Sequence, residues 1–337
     1  MDSTNKEVYL SISASPHIRS DEDTRSIMTD VLLALMPALA VAAYMFGFRA
    51  IVSAVISTGA CMFFEWTYRK LMKKSKSWDD LSAAVTGLLL AFCVPVTLPL
   101  WMLLIGDFFA IVVVKQLFGG IGKNFMNPAL AARAFLFSWP TAMNHWVAPH
   151  SYASFFASCA DAVTEATPLA SLSQSALPSG TTLLQSFVGY VGGSMGEIST
   201  LAILLGGAYL LFRRIINLRI PLSYILTVAV LTFLFPRGNE RLSWMVWQLF
   251  SGGLMLGAIF MATDYVTSPV NPLAQIIFGF GCGVLTVFIR YFGSYPEGVS
   301  YAILVMNSVV WLLDKACPRR RFGVQRKKRG TKEEKAL

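Results

Sequence analysis

Apolar runs of near-membrane length follow one another along this chain, and they leave few folds open to it. They are Val31 to Phe46, Ile51 to Phe64, Leu81 to Val96, Trp101 to Val114, Ser199 to Phe212, Ile220 to Phe235, Trp244 to Ala262, Leu273 to Ile289 and Tyr301 to Leu313. With flanking residues each approaches the roughly 20 positions needed to cross a bilayer core. A further segment, Met126 to Trp139, is apolar but interrupted by Arg133, and it reads as the fifth crossing in chain order. Composition agrees: 55% of the 337 residues are hydrophobic and 14% charged, whereas soluble domains carry roughly 25% charged residues. Backbone groups in lipid must be satisfied within their own segment, which selects helices. The expectation is an all-α polytopic membrane protein of about ten transmembrane helices, solvated by the lipid bilayer.

Basic residues set the orientation. With a cytoplasmic N-terminus and ten crossings, 23 of the 28 Lys and Arg fall inside, including Arg69 to Lys76, Lys115, Lys123, Arg213 to Arg219 and the tail from Lys315. Arg49, Arg237, Arg241 and Arg290 fall outside. The positive-inside rule prefers this arrangement to its inverse, with both termini cytoplasmic in a multi-pass inner-membrane protein. The first 28 residues are polar and no cleavable signal is visible. The net charge of +9 is therefore mainly a topology signal, and the run Arg326 to Arg329 reads as an anionic-lipid anchor, not a nucleic-acid site.

Five segments follow: an N-terminal cytoplasmic part (1–28), a first five-helix repeat (29–140), a long external connection (141–197), a second five-helix repeat (198–316) and a basic tail (317–337). From about Thr141 to Glu197 the connection lacks Lys and Arg, and a loop that long in a compact helical protein is more often functional than a spacer. Within it, Leu183 to Val191 is mildly apolar and a candidate for re-entry. The repeat rests on Gly87 to Pro99 (GLLLAFCVPVTLP) and Gly257 to Pro269 (GAIFMATDYVTSP), which share a leading Gly and a Val-Thr-x-Pro ending. They fall in the third and eighth crossings. An odd offset of five inverts one half relative to the other, as in many transporters. Each Val-Thr-x-Pro then marks a broken helix whose freed carbonyls can line a cavity.

Charges inside apolar runs are costly and count as functional candidates. Asp107, Arg133 and Asp264 qualify. Asp264, beside the break at Pro269, and Asp107 are the candidates for an ion path. Arg133 either neutralises Asp107 on the neighbouring fourth helix or contacts a cofactor phosphate. Ser194-x-x-Glu197 reads as a capping box at the start of the sixth crossing. Gly119-Gly120-Ile121-Gly122 reads as a tight inner turn, since it follows a membrane helix and lacks the ending of a phosphate loop. Cys61, Cys93, Cys159, Cys282 and Cys317 have no metal-ligand spacing and read as apolar packing residues. His145 and His150 belong to the external surface, and no metal site is expected.

Several short motifs, in order, give the chain a specific resemblance. They are Ser15-Pro16-His17; Val85-Thr86-Gly87-Leu88-Leu89-Leu90; Lys115-Gln116-Leu117-Phe118-Gly119-Gly120-Ile121-Gly122-Lys123-Asn124 with Asn127-Pro128; Gly196-Glu197-Ile198-Ser199; and Met261-Ala262-Thr263-Asp264. Together they resemble the RnfD and NqrB family, the D subunits of Rnf ion-translocating oxidoreductase complexes and their NqrB counterparts, over nearly the whole chain. The length is closer to the Rnf protein. Asp161-Ala162-Val163-Thr164-Glu165-Ala166-Thr167 is similar to that family's flavin-transferase target, Asp-x-x-Ser/Thr-Gly-Ala-Thr, with Glu165 in place of the usual Gly. The resemblance implies FMN joined to Thr167 through a phosphoester, with Asp161, Thr164 and Ala166 as its recognition residues. A modifying enzyme would reach that hydroxyl on an external loop. It also implies a second, noncovalent flavin (riboflavin) at the inner turns, a flavin transferase for maturation, and further Rnf subunits as partners. The expected function is then that of an electron-transfer subunit coupling ferredoxin/NAD chemistry to Na⁺ or H⁺ translocation. The alternative is a channel or solute transporter, because inverted five-helix repeats with broken helices resemble the urea-transporter fold.

Overall fold

Helices form where the apolar runs lie, and local chemistry sets their ends. The computed structural model describes residues 23–73, 80–150, 167–178, 181–238, 240–293 and 297–318, and the described residues are helical without a β-strand. Helix α1 (Thr24–Phe46) and α2 (Phe48–Leu71) are divided by Gly47 alone. Its φ of 72° and ψ of −161° lie where a Cβ is poorly tolerated, so glycine permits the reversal. Next come α3 (Ser82–Cys93), α4 (Leu100–Phe108), which continues as a π-helix over Phe109–Gln116, and α5 (Pro128–Leu136). Asn127 accepts from the N–H groups of Ala129 and Leu130, and Pro128 occupies the first turn of α5, where its missing N–H costs nothing.

The connection contains short helices α6 (Pro140–Met143), α7 (Pro168–Ser173) and α8 (Leu183–Val188), the last opened by a Thr182/Gln185 capping box. Then follow α9 (Thr200–Phe212), α10 (Arg219–Leu234), α11 (Arg241–Phe250), α12 (Leu254–Leu256) with a π-helical extension over Gly257–Met261, α13 (Pro272–Phe292) and α14 (Val299–Ala316). Among the described residues, α1, α2, α13 and α14 are long and apolar enough to cross a membrane. The pair α11 and 254–261, bent by 62°, makes a fifth. Helices α3, α9 and α10 are apolar but shorter.

Both Val-Thr-x-Pro segments are non-helical, one between α3 and α4 and the other between the second π-helix and α13. The sharp bend in the eighth apolar run lies earlier, at Ser251 to Gly253. The two parts of the chain pack in parallel ways: α2 lies against α3 and α4, and α10 lies against α11 and α13. Helix α1 crosses to α9, and α14 to α5. Buried Ala34, Leu35, Phe92, Ile203, Leu256 and Ile303 belong to one continuous apolar cluster spanning these helices.

The α1–α9 contact depends on Gly206. A Cβ there would overlap the Ala34 carbonyl oxygen, and backbone cannot retreat as a flexible side chain can. Close by, Asp30 receives a 2.7 Å hydrogen bond from the Tyr209 hydroxyl and a 2.9 Å ion pair from Arg213. Gly206→Ala is expected to lower the melting temperature of the purified protein by separating α1 from α9, at about 1–3 kcal/mol for overpacking. An unchanged melting curve would show that this interface is soft.

Candidate functional site

Two polar clusters lie at opposite ends of α9, a 13-residue helix about 20 Å long at 1.5 Å per residue. The first surrounds Thr167. Its hydroxyl accepts from the Ala170 N–H at 3.3 Å, which makes Thr167 the N-cap of α7. Leu169 and Leu172 anchor that helix on Trp244 and Trp247 of α11. Thr167 is consequently 8% exposed. That differs from the open loop hydroxyl expected from sequence, because α7 docks on the tryptophans and carries the threonine inward. Asp161, Thr164 and Ala166 lie outside the described residues.

A small cavity of about 20 Å³ beside Thr167 is lined by Ser186, Glu197, Ser251 and Gly252, among others. Gly252 has φ 72°, and a Cβ on it would sit 2.9 Å from Leu169 and 3.1 Å from the Arg290 Nη2. Arg290, 4% exposed, donates to Gln248 O at 2.6 Å, Gln248 Oε1 at 3.0 Å and Ser251 O at 3.0 Å. Among the described residues no carboxylate pairs with it, and its Nε and the Ser251 Oγ have no hydrogen-bond partner. A buried cation and an unused hydroxyl next to an esterifiable threonine suit a phosphodiester monoanion. The cavity itself holds little more than water, so only a phosphate end fits there.

Glu197 opens no helix. Ser199 caps α9 instead, accepting from Ala202 at 3.2 Å, and the Ser194 Oγ has no partner among the described residues. The Glu197 carboxylate pairs with Arg133 at 3.4 Å, and Arg133 also pairs with Glu297 and donates to Ser300 Oγ at 3.0 Å. The expected Arg133–Asp107 pair is therefore absent. Asp107 faces α2, where Ser57 Oγ lies 2.6 Å and Cys61 Sγ 3.3 Å from its Oδ1, whereas Arg133 on α5 faces α14. Two carboxylates around Arg133 leave it no spare charge for a phosphate. Sequence reasoning missed Arg290 in this role, and its only signal was a basic residue on the side poor in them.

The second cluster is a cavity of about 90 Å³ lined by Ser82, Thr86, Lys115, Asn124, Asn127 and Asp264, with Phe260 and Tyr265 among its other walls. Asp264 lies past the second π-helix and accepts from Thr267 Oγ1 at 3.1 Å. Lys115 joins this cavity to a buried network: its Nζ is 2.6 Å from Ser82 Oγ and 2.9 Å from Glu65, which also pairs with Arg69 at 2.9 Å and Gln116 at 2.8 Å. Gly119, Gly120 and Gly122, at φ 116°, 90° and 84°, form the turn that follows, in keeping with a tight turn after the helix. Cys61, Cys93 and Cys282 are buried, as packing residues are, while Cys159 lies outside the described residues. His145 and His150 are exposed.

Several helices long and apolar enough to cross a membrane, joined by shorter apolar ones, define a multi-pass membrane protein. The chain belongs to the NQR2, RnfD, RnfE family, whose model matches residues 11–323. It is 46% identical to the D subunit of the Na⁺-translocating ferredoxin:NAD⁺ oxidoreductase complex of Acetobacterium woodii, across 97% of this chain and 99% of the relative. It is 41% identical to the D subunit of the proton-translocating ferredoxin:NAD⁺ oxidoreductase complex of Clostridium ljungdahlii, across 95% and 98%. The D subunit of the ion-translocating oxidoreductase complex of Stutzerimonas stutzeri is 39% identical across 91% and 93%.

Proposed function

We propose that this chain is the D subunit of an Rnf-type complex, a membrane electron-transfer subunit that helps couple ferredoxin/NAD redox chemistry to Na⁺ or H⁺ translocation. The observation that carries it is near-full-length identity to the D subunits of such complexes. Relatives named for Na⁺ and for H⁺ both match, so identity alone favours neither ion. The parallel packing of α2 on α3 and α4 and of α10 on α11 and α13 supports about ten transmembrane helices in two inverted five-helix repeats, the urea-transporter-like plan. The second cluster gathers segments that the basic residues assign to the cytoplasm, and the first gathers segments assigned outside. A plain solute channel is the weaker reading, because it leaves the Thr167 surroundings without a use.

Thr167 is the proposed attachment point of FMN, on the external side. A bound flavin supplies one- and two-electron transfer. Thr167 would hold its phosphoester, Ser251 would donate to a phosphate oxygen, and Arg290 would set a positive field behind the Ser251–Gly252 turn. Because Thr167 is buried, attachment by a flavin transferase requires α7 to be off its tryptophan seat. The inner cavity, with aromatic walls and the amides of Asn124 and Asn127, is the place for the second, noncovalent flavin. Purification from the native membrane tests the whole reading: the chain should come with several other subunits and show ultraviolet fluorescence after denaturation. A stable, catalytically complete monomer without fluorescence would refute it.

Asp264→Asn is expected to leave covalent flavin unchanged and to weaken ion transport per electron, measured in proteoliposomes. Its carboxylate borders the inner cavity and lies far from Thr167. An unchanged coupling ratio would make Asp264 structural.

A further inference from the structure

The geometry points to Asp107 as a proton-carrying carboxyl inside the membrane domain, fed from the inner cavity through a polar column between α2 and α4. The proposal rests on the translocase reading, and it names the ion that this site takes as a proton.

Hydrogen counting carries the argument. Asp107 is fully buried, and its Oδ2 has no hydrogen-bond partner among the described residues. Ser57 Oγ lies 2.6 Å from Asp107 Oδ1 and 2.8 Å from the Gly87 carbonyl oxygen. A hydroxyl has one hydrogen, so it can make a short, well-aligned bond to only one of them. Were Asp107 a carboxylate, one of these short contacts would set two acceptor oxygens face to face with no hydrogen between them. A proton on Oδ1 resolves the conflict: Asp107 donates to Ser57, and Ser57 donates to Gly87. It also removes a bare charge from an apolar interior, where an unpaired carboxylate is costly.

The column supplies the route. Ser57, Cys61, Glu65 and Arg69 recur at every fourth residue of α2 and so share one face. From the cavity, Ser82 touches Lys115 and Lys115 touches Glu65. One helical turn further, about 6 Å of rise, Cys61 touches Asp107 at 3.3 Å. The charged and titratable groups facing this place are Cys61, Glu65 and Arg69 from α2 and Lys115 from the π-helix. Helix α3 contributes the neutral Gly87 carbonyl, and the α5 cation Arg133 is turned to its own glutamates. Proton binding adds one H⁺ from cavity water to the carboxylate. Release returns it and turns the Ser57 hydroxyl toward the anion. The π-helix beginning two residues after Asp107 is a feature often found at functional sites.

Dicyclohexylcarbodiimide tests this on the wild-type complex in vesicles. A protonated carboxyl gives its proton to a carbodiimide nitrogen while its oxygen adds to the central carbon, and the adduct rearranges to a stable N-acylurea. Peptide mass mapping should place the adduct on Asp107 and not on Glu65, whose charge is already paired. Labelling should be indifferent to Na⁺, and it should vanish in Asp107→Asn while covalent flavin persists. Asp107→Asn should also lower H⁺ uptake per electron. No adduct at Asp107, protection by Na⁺, or unchanged uptake in Asp107→Asn would each overturn the proposal. Loss of the fluorescent band in the wild type would instead strike the flavin reading and leave the adduct result standing.

Discussion

Replacing Thr167 by alanine is expected to abolish covalently bound flavin, seen as loss of the fluorescent band after denaturing electrophoresis. The substitution removes the hydroxyl that the proposed phosphoester requires. It also removes the N-cap of α7, at a cost of about 1 kcal/mol, so alanine alone would confuse chemistry with folding. Two further variants separate them. Thr167→Ser keeps both hydroxyl and cap and should retain label. Thr167→Asn keeps a capping oxygen but offers nothing to esterify, so it should be as stable as Thr167→Ser and carry no flavin. Thr164→Ala should leave flavin attached at lower efficiency, since Thr164 belongs to the recognition motif and not to the ester. Fluorescence persisting in Thr167→Ala, or FMN mapped to another residue, would refute the assignment. A cysteine at exposed Ser175, labelled by an impermeant reagent from the cytoplasmic side only, would refute the topology and leave the chemistry intact.

Much of the helical order could be read from hydrophobicity, because the described helices lie along the apolar runs, although the run Trp244 to Ala262 is split by a 62° bend. Breaks were less legible. Proline marked the non-helical Val-Thr-x-Pro segments, but the 62° bend after Phe250 rests on Ser251-Gly252-Gly253, where glycine backbone freedom, invisible to a hydropathy scale, decides the path. Partner choice for buried charges was the least legible. Asp107 and Arg133 lie on consecutive helices, yet the face each residue occupies depends on helix rotation and on the local π-helical turn. Glu197 and Glu297, the actual partners of Arg133, come from loops far away in sequence. The burial of Thr167 was hidden for the same reason: it depends on α7 meeting two tryptophans of α11. By sequence Arg290 is a topology exception; its carbonyl partners, and the absence of a paired carboxylate among the described residues, depend on the bend after α11.

The largest effect on stability is expected at Arg133. Its guanidinium stands between Glu197 and Glu297, and all three side chains are at most 10% exposed. It connects α5, the segment leading into α9 and the start of α14. Arg133→Leu leaves two buried carboxylates facing one another with no cation, and breaking a buried pair on one side costs about 3–5 kcal/mol. The purified variant should melt well below the wild type or fail to accumulate in the membrane. Adding Glu297→Gln removes one orphaned charge, so the double variant should regain part of the loss, and this recovery identifies electrostatics as the cause. Arg133→Lys should be intermediate, because an ammonium cannot match the planar fork that reaches both glutamates. If Arg133→Leu melts like the wild type, the two carboxylates do not depend on Arg133, and the joint between α5 and α14 must be held by Phe137, Ile303 and their apolar neighbours alone.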